Sequence, residues 1–224
     1  LLTGFSDFPG VAVNPTEAVV RALHGQPIAA VAVQGLVLPV AHPHAAQALQ
    51  DQGLDPTTDL VLLLGVAVTA DRLRVERQAV NLLDFRVPDA TGQQPRGEPA
   101  HDQLPPGGVL RTRFATEPVV QRLQDAQLPT ESSDDAGRYV CNATYLWALA
   151  AANRALFLHV PLLGTLDPQG QAWTHDRLIQ AVRLVLAELA MQGSTDHLCT
   201  GAGSATPPAL TNRTCPCNPN GSPS

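Results

Sequence analysis

Apolar residues recur along this chain at two periods, and the period predicts the element. Continuous apolar runs of strand length cover Asp59 to Val68, DLVLLLGVAV, and Ala155 to Leu162, ALFLHVPL. Runs without a polar face suit strands buried on both sides of a parallel sheet. Ala29 to Val40 is β-branched and apolar and predicts one strand or two, while Leu73 to Val87 alternates and predicts a strand with an extended continuation. Asn14-Pro15-Thr16-Glu17 predicts a helix start, with Pro near the first turn and an acid in it, running to about His24. Ala45 to Gln52 predicts a short helix ended by Gly53. Thr116-Glu117-Pro118 opens a helix to about Gln127, and Cys141 to Arg154 is the next. Thr174 caps a last helix to about Met191, with Leu178, Ile179, Val182, Val185, Leu186 and Leu189 on one face. Strands alternating with helices predict an α/β fold, a three-layer sandwich in which a twisted, mainly parallel sheet is covered by helices on both faces.

Composition divides the chain in two. Residues 1–192 carry the periodic pattern of one domain. Residues 193–224 are Gly, Ser, Thr, Pro and Asn with almost no periodicity and predict a C-terminal tail. Within the domain, Pro88 to Gly108 is rich in Pro, Gly and Gln; a loop that long in a compact domain is often functional. The opening Leu1-Leu2-Thr3-Gly4, without Met, predicts that a short piece of a first strand precedes it. No apolar run approaches the ~20 residues a membrane span needs. The net charge is −6, all 14 basic residues are Arg, and no basic stripe is visible, so neither nucleic acid nor a membrane is an expected partner.

Of the four cysteines, Cys199, Cys215 and Cys217 sit near or in the tail and Cys141 stands alone in the domain. This is not a disulfide framework, and a cytoplasmic protein is expected. A tail disulfide stays open. His42-Pro43-His44 lacks a third ligand nearby, so no metal is expected. Cys141 closes the stretch ESSDDAGRYVCNATYLWAL at the first turn of an apolar helix. A lone helical Cys is commonly a small buried hydrophobe. At a helix N-terminus, however, free N–H groups and the dipole favour the thiolate and can hold an oxyanion. A nucleophilic thiol needs a base and the base an orienting acceptor. His159 in LFLHVPL and Glu76 in RVERQAVN are polar residues in otherwise apolar strand-like segments. A core histidine and a carboxylate paired with a neighbouring Arg are the plainer readings of each.

Four ordered blocks carry a resemblance. LLTGFSDFPGVAVNP, VERQAVNLLDFRVPDATGQQP, SDDAGRYVCNATYLWAL and LFLHVPLL resemble the motifs of the pyroglutamyl peptidase I (pyrrolidone-carboxylate peptidase) family, from Leu1 to about Met191. The resemblance implies a cysteine exopeptidase, an omega peptidase that removes N-terminal pyroglutamate from peptides through an acyl-enzyme, with no cofactor. It puts the nucleophile on Cys141, the catalytic histidine on His159, the catalytic acid on Glu76 and oxyanion support on Arg86. It puts substrate contacts on Phe8, Asn14, Val66, Val87, Tyr139 and Val140, with Phe5 a further wall. Because pyroglutamate is a lactam without an ammonium group, an apolar slot with neutral hydrogen bonds is expected. A homodimer or homotetramer is implied too. The chain departs from the family pattern at Val66, where Gln is usual, and at Asp7, Pro9 and Ala90. The Val66 departure keeps open a Cys–His hydrolase of another small amide, and a non-catalytic binding protein on the same fold is a further alternative.

Overall fold

A computed structural model describes residues 1–7, 13–29, 31–55, 59–152 and 154–199, with the backbone alone for Val31 and residues 194–199. The expectations for Phe8, Pro9, Cys215, Cys217 and the tail beyond Cys199 lie outside the described residues. The elements follow in order. They begin with β1 (Leu2–Phe5), α1 (Pro15–Leu23), β2 (Pro27–Ile28), β3 (Val31–Ala32), β4 (Gly35–Leu38) and α2 (His44–Gln50). Then come β5 (Val61–Val66), β6 (Leu73–Glu76), β7 (Gln78–Val80), β8 (Leu83–Asp84), β9 (Arg96–Glu98) and β10 (Val109–Arg111). The last are α3 (Thr116–Asp125), β11 (Thr130–Ser133), α4 (Val140–Ala151), β12 (Ala155–Val160) and α5 (His175–Cys199).

Six strands form the central sheet in the order β11-β6-β12-β5-β1-β4. β4, β1, β5 and β12 are parallel, β6 joins antiparallel to β12, and β11 lies parallel to β6. Successive side chains of a strand point to opposite faces, and here both faces are covered. Leu62, Leu64, Leu73, Val75, Leu156 and Leu158 pack with apolar residues of α1, α3 and α5. Val61, Leu63, Ala155 and Phe157 pack with α2 and α4. Two covered faces explain why β5 and β12 read as unbroken apolar runs, and they give the mainly parallel three-layer α/β sandwich.

The departures from the expected elements have local causes. Leu73 to Val87 splits into three strands: β6 stays in the sheet, β7 pairs with β10 and β8 with β9. The side chain of Asn142, fully buried, substitutes for a partner strand by accepting from the Val80 N–H (2.9 Å) and donating to the Val80 carbonyl (2.8 Å). Buried Asn81 holds the start of the following loop, donating to the carbonyls of His101, Leu104 and Pro105. β11 falls in a stretch that reads as a polar acidic run. It is an edge strand with half-buried Glu131, Ser132 and Ser133, so no apolar signal marks it. The last helix passes Met191 and runs to Cys199. Gly193, which reads as a stop, lies inside it, and the Arg154 guanidinium fills the space where its Cβ would stand.

Candidate active site

The Cys141 side chain is placed by the turn that precedes it. Gly137 has φ +82°, a conformation that favours glycine. The Asp135 carboxylate accepts from the Gly137 N–H (3.1 Å) and from Arg138 Nη1 (2.7 Å). Burial opposes the Asp135 charge, but these bonds prevail and hold the carboxyl below its usual range. The chain then enters α4 through Tyr139, an extended N-cap that makes no side-chain cap hydrogen bond. Cys141 is therefore the second helical residue. The N–H groups of such a first turn have no acceptor within the helix, and nothing in this cap takes their place.

Below α4 lies the sheet. At residue 65 the strand carries Gly, and a Cβ there would stand 2.6 Å from Phe157 Cζ and 3.0 Å from Cys141 Sγ. Glycine lets the thiol settle against β5. His159 pairs with Gly65 on the neighbouring β12 and sits over Phe157, ring centroids 4.6 Å apart. Its Nδ1 is 2.8 Å from Glu76 Oε1. Glu76 is fully buried and His159 is 7% exposed. The main chain of Glu76 is held in turn by the hydroxyl of buried Tyr145, which donates to the Glu76 carbonyl (2.9 Å). Cys141 is the other group that acts on the His159 imidazole. Burial alone would lower the imidazole pKa; hydrogen bonds to Cys141 and Glu76, and then their charges, outweigh it and raise it from 6.5 to about 9. An imidazole held between a carboxylate and a thiol can take the thiol proton, giving an imidazolium beside a thiolate, and later pass that proton on.

A cleft of about 610 Å³ opens at His159. Its lining includes His159, Arg74, Arg86, Val87, Arg138 and Tyr139. Tyr139 packs on Phe85, ring centroids 4.5 Å apart, and its hydroxyl donates to the Pro88 carbonyl (3.0 Å). Val87 is 58% exposed and presents an apolar surface to the cleft. The strap that carries Arg86, Val87 and Pro88 is pinned by Asp89. Its carboxylate accepts from the N–H of His42, Thr91 and Gln93 and from the Thr91 hydroxyl.

The structure thus brings together Cys141, His159 and Glu76, and places Arg86, Val87 and Tyr139 with His159 in the lining of the cleft. It does not bring the other expected contacts to the cleft. Val66 packs against the α1/α3/α5 core, on the other face of the sheet, because it is the strand neighbour of inward-facing Gly65. Val140 is 1% exposed and buried in the α2/α4 core; its backbone, not its side chain, is near Cys141. Asn14 is the N-cap of α1. Its Oδ1 accepts from the Thr16 N–H and hydroxyl, and its Nδ2 donates to the Ser6 carbonyl, so its amide is engaged in scaffolding. Phe5 is 2% exposed, a core residue of the catalytic face. Sequence reading missed Gly65, Asn142, Tyr145 and Asp89. Only Gly65 carries a usable signal, a lone Gly in an apolar strand, which marks close approach.

An α/β sandwich presenting a thiol at a helix N-terminus to a histidine and a buried carboxylate defines a cysteine hydrolase. The pyroglutamyl peptidase family model matches residues 1–186, and the chain belongs to that family. It is 32% identical over 197 residues to the pyrrolidone-carboxylate peptidase of Thermococcus onnurineus, covering 83% of this chain and 96% of the relative. The enzyme of that name from Yersinia pestis (strain Pestoides F) is 30% identical over 212 residues, covering 90% and 97%. Among solved structures, the pyrrolidone carboxyl peptidase of Thermus thermophilus aligns with TM-score 0.74 at 32% identity, covering 84% of this chain and 98% of that one.

Proposed function

We propose that this protein is a cysteine exopeptidase that removes N-terminal pyroglutamate from peptides. The observation that carries the reading is the His159–Glu76 pair set beside Cys141, which stands at the start of α4, in a chain of this family. Cys141 Sγ attacks the exocyclic carbonyl carbon of the pyroglutamyl residue. The oxyanion that forms is met by first-turn N–H groups of α4 and by Arg86. His159 gives its proton to the departing amine as the C–N bond breaks, leaving a thioester. Water, deprotonated by His159, then attacks the thioester and releases pyroglutamate. Glu76 keeps the imidazole oriented and stabilises its charge.

A peptide with a free N-terminus brings an ammonium group that needs free carboxylates around it; pyroglutamate does not. The two carboxylates that line the cleft, Asp84 and Asp135, are already paired with Arg96 and with Arg138. Tyr139 and Val87 offer flat and apolar walls for the ring. Since the Val66 side chain points away, main-chain groups of the cleft are left to bond the lactam. A reduced thiol suits a cytoplasmic setting, and the homodimer or homotetramer expected from the family is open to measurement by sedimentation.

The test is hydrolysis of pyroglutamyl-naphthylamide, with prolyl and glutaminyl amides alongside. The wild type should cleave the pyroglutamyl substrate selectively, and Cys141→Ala should lose at least ~10³-fold in kcat. Undiminished turnover by Cys141→Ala, or preference for a non-lactam amide, rejects the reading.

A further inference from the structure

Four residues form one row across the sheet. Gly65 on β5 pairs with His159 on β12, His159 with Arg74 on β6, and Arg74 with Glu131 on β11. Directly paired residues project to the same face, and this is the cleft face. Cys141 Sγ lies over Gly65 at one end of the row, and His159 is one strand further on. Resting on the proposed function, this order gives the substrate a direction. The acyl carbon is bound at Sγ and the leaving amine takes its proton at His159, so the residue attached to that amine extends toward β6. Strands are about 4.8 Å apart, so the side chain or carboxyl of the leaving residue comes over Arg74.

Arg74 is a cleft cation at that end, and its charge also acts on the Asp135 carboxylate, which is hydrogen-bonded to Arg138. The Arg74 side chain is 37% exposed. Its Nε donates to Glu131 Oε1 at 3.1 Å. Among the described residues no hydrogen bond takes its two terminal nitrogens, which leaves the guanidinium fork open to a carboxylate. Glu131 is itself shared with Arg72 at 3.8 Å, so it is not committed to Arg74 alone. The other cleft cation near this end, Arg138, is spent on Asp135 and on the Gly137 carbonyl.

We propose that Arg74 is a specificity residue for the leaving side of the scissile bond, recognising a carboxylate on the residue that follows pyroglutamate. The carboxylate can be an acidic side chain or the free α-carboxylate of a dipeptide. Three substrates separate the sources: pyroglutamyl-glutamine amide, pyroglutamyl-glutamate amide and pyroglutamyl-glutamine with a free C-terminus. At low salt the wild type should favour at least one carboxylate substrate over the neutral amide by about five- to tenfold in kcat/KM. The ratio should shrink as salt rises. Arg74→Gln should bring it close to one. Glu131→Gln, which removes the competing carboxylate, should raise it, a change a purely structural ion pair would not produce. Equal kcat/KM for all three in the wild type, or a preference that survives Arg74→Gln, overturns the inference while leaving pyroglutamyl peptidase activity intact. A wild type that cleaves none of the three overturns the proposed function and the inference together.

Discussion

The imidazole of His159 lies between two ionisable partners, Cys141 and Glu76. His159 has a pKa raised to about 9 against 6.5, so the folded chain holds that proton more tightly than the unfolded chain. Its contribution to stability is full below pH 6.5 and is lost as pH rises through about 9. NMR titration of His159 should give a midpoint near 9 that falls in Cys141→Ala, because a hydrogen bond and a neighbouring charge are removed together. Urea unfolding of the variant should depend less on pH across the same window. Gly65 offers a second test at this scale. In Gly65→Ala the new methyl meets Phe157 Cζ at 2.6 Å and Cys141 Sγ at 3.0 Å. The expected cost is ~1–3 kcal/mol of stability. kcat/KM should fall by more than about tenfold, because a small displacement of a reacting atom is expensive. Near wild-type activity would show that the thiol has room the structure does not give it.

Single elements bring the reacting groups together, and their ends matter more than their middles. α4 starts without a side-chain cap, which costs helix stability and leaves its first-turn N–H groups available. The opposite choice is made at α1, where Asn14 caps fully and takes no part in the cleft. The strap of residues 86–93 is gathered onto His42 by Asp89, with further bonds from Ala90 N–H to the Val40 carbonyl and from the Tyr139 hydroxyl to the Pro88 carbonyl. Asp89→Ala removes that clamp and should cost ~1–3 kcal/mol. It should raise KM for pyroglutamyl-naphthylamide several-fold with a smaller change in kcat, since Val87 and Arg86 lose their position while Cys141, His159 and Glu76 keep theirs. Equal losses in KM and kcat would place the strap in the chemistry itself. How far these elements are legible depends on their surroundings. α1, α3, β5 and β12 read correctly because an apolar face or run is visible. β11 and β7 did not, because an edge strand and a strand completed by the Asn142 side chain leave no apolar period to see.

For the whole molecule, the sheet divides the face that carries the proposed site from a supporting face, and neighbouring residues of one strand serve different cores. Leu64 packs with α1, α3 and α5, Leu63 with α2 and α4, and both are fully buried. Leu64→Ala should cost ~2–5 kcal/mol. Below its lowered Tm, kcat should stay near wild type, because the cavity opens away from Cys141. A large loss of kcat in a folded Leu64→Ala protein would mean that the two faces are coupled through the sheet.

The sequence by itself determined the α/β class and the order of the main helices and strands, which follow from local periodicity. Cys141, His159 and Glu76 stood out as residues whose chemistry is out of place in an apolar segment, and it was the family motifs that singled them out together. Tertiary structure alone decided which face each residue serves. Glu76 and His159 are 83 residues apart in the chain, and their bond depends on the antiparallel entry of β6 beside β12. The same strand register turns Gly65 toward Cys141 and Val66 away from it, and sets Arg74 beside His159. A shift of one residue reverses every side chain in a strand. That register comes from pairing and packing across the whole sheet, which no local stretch of sequence contains.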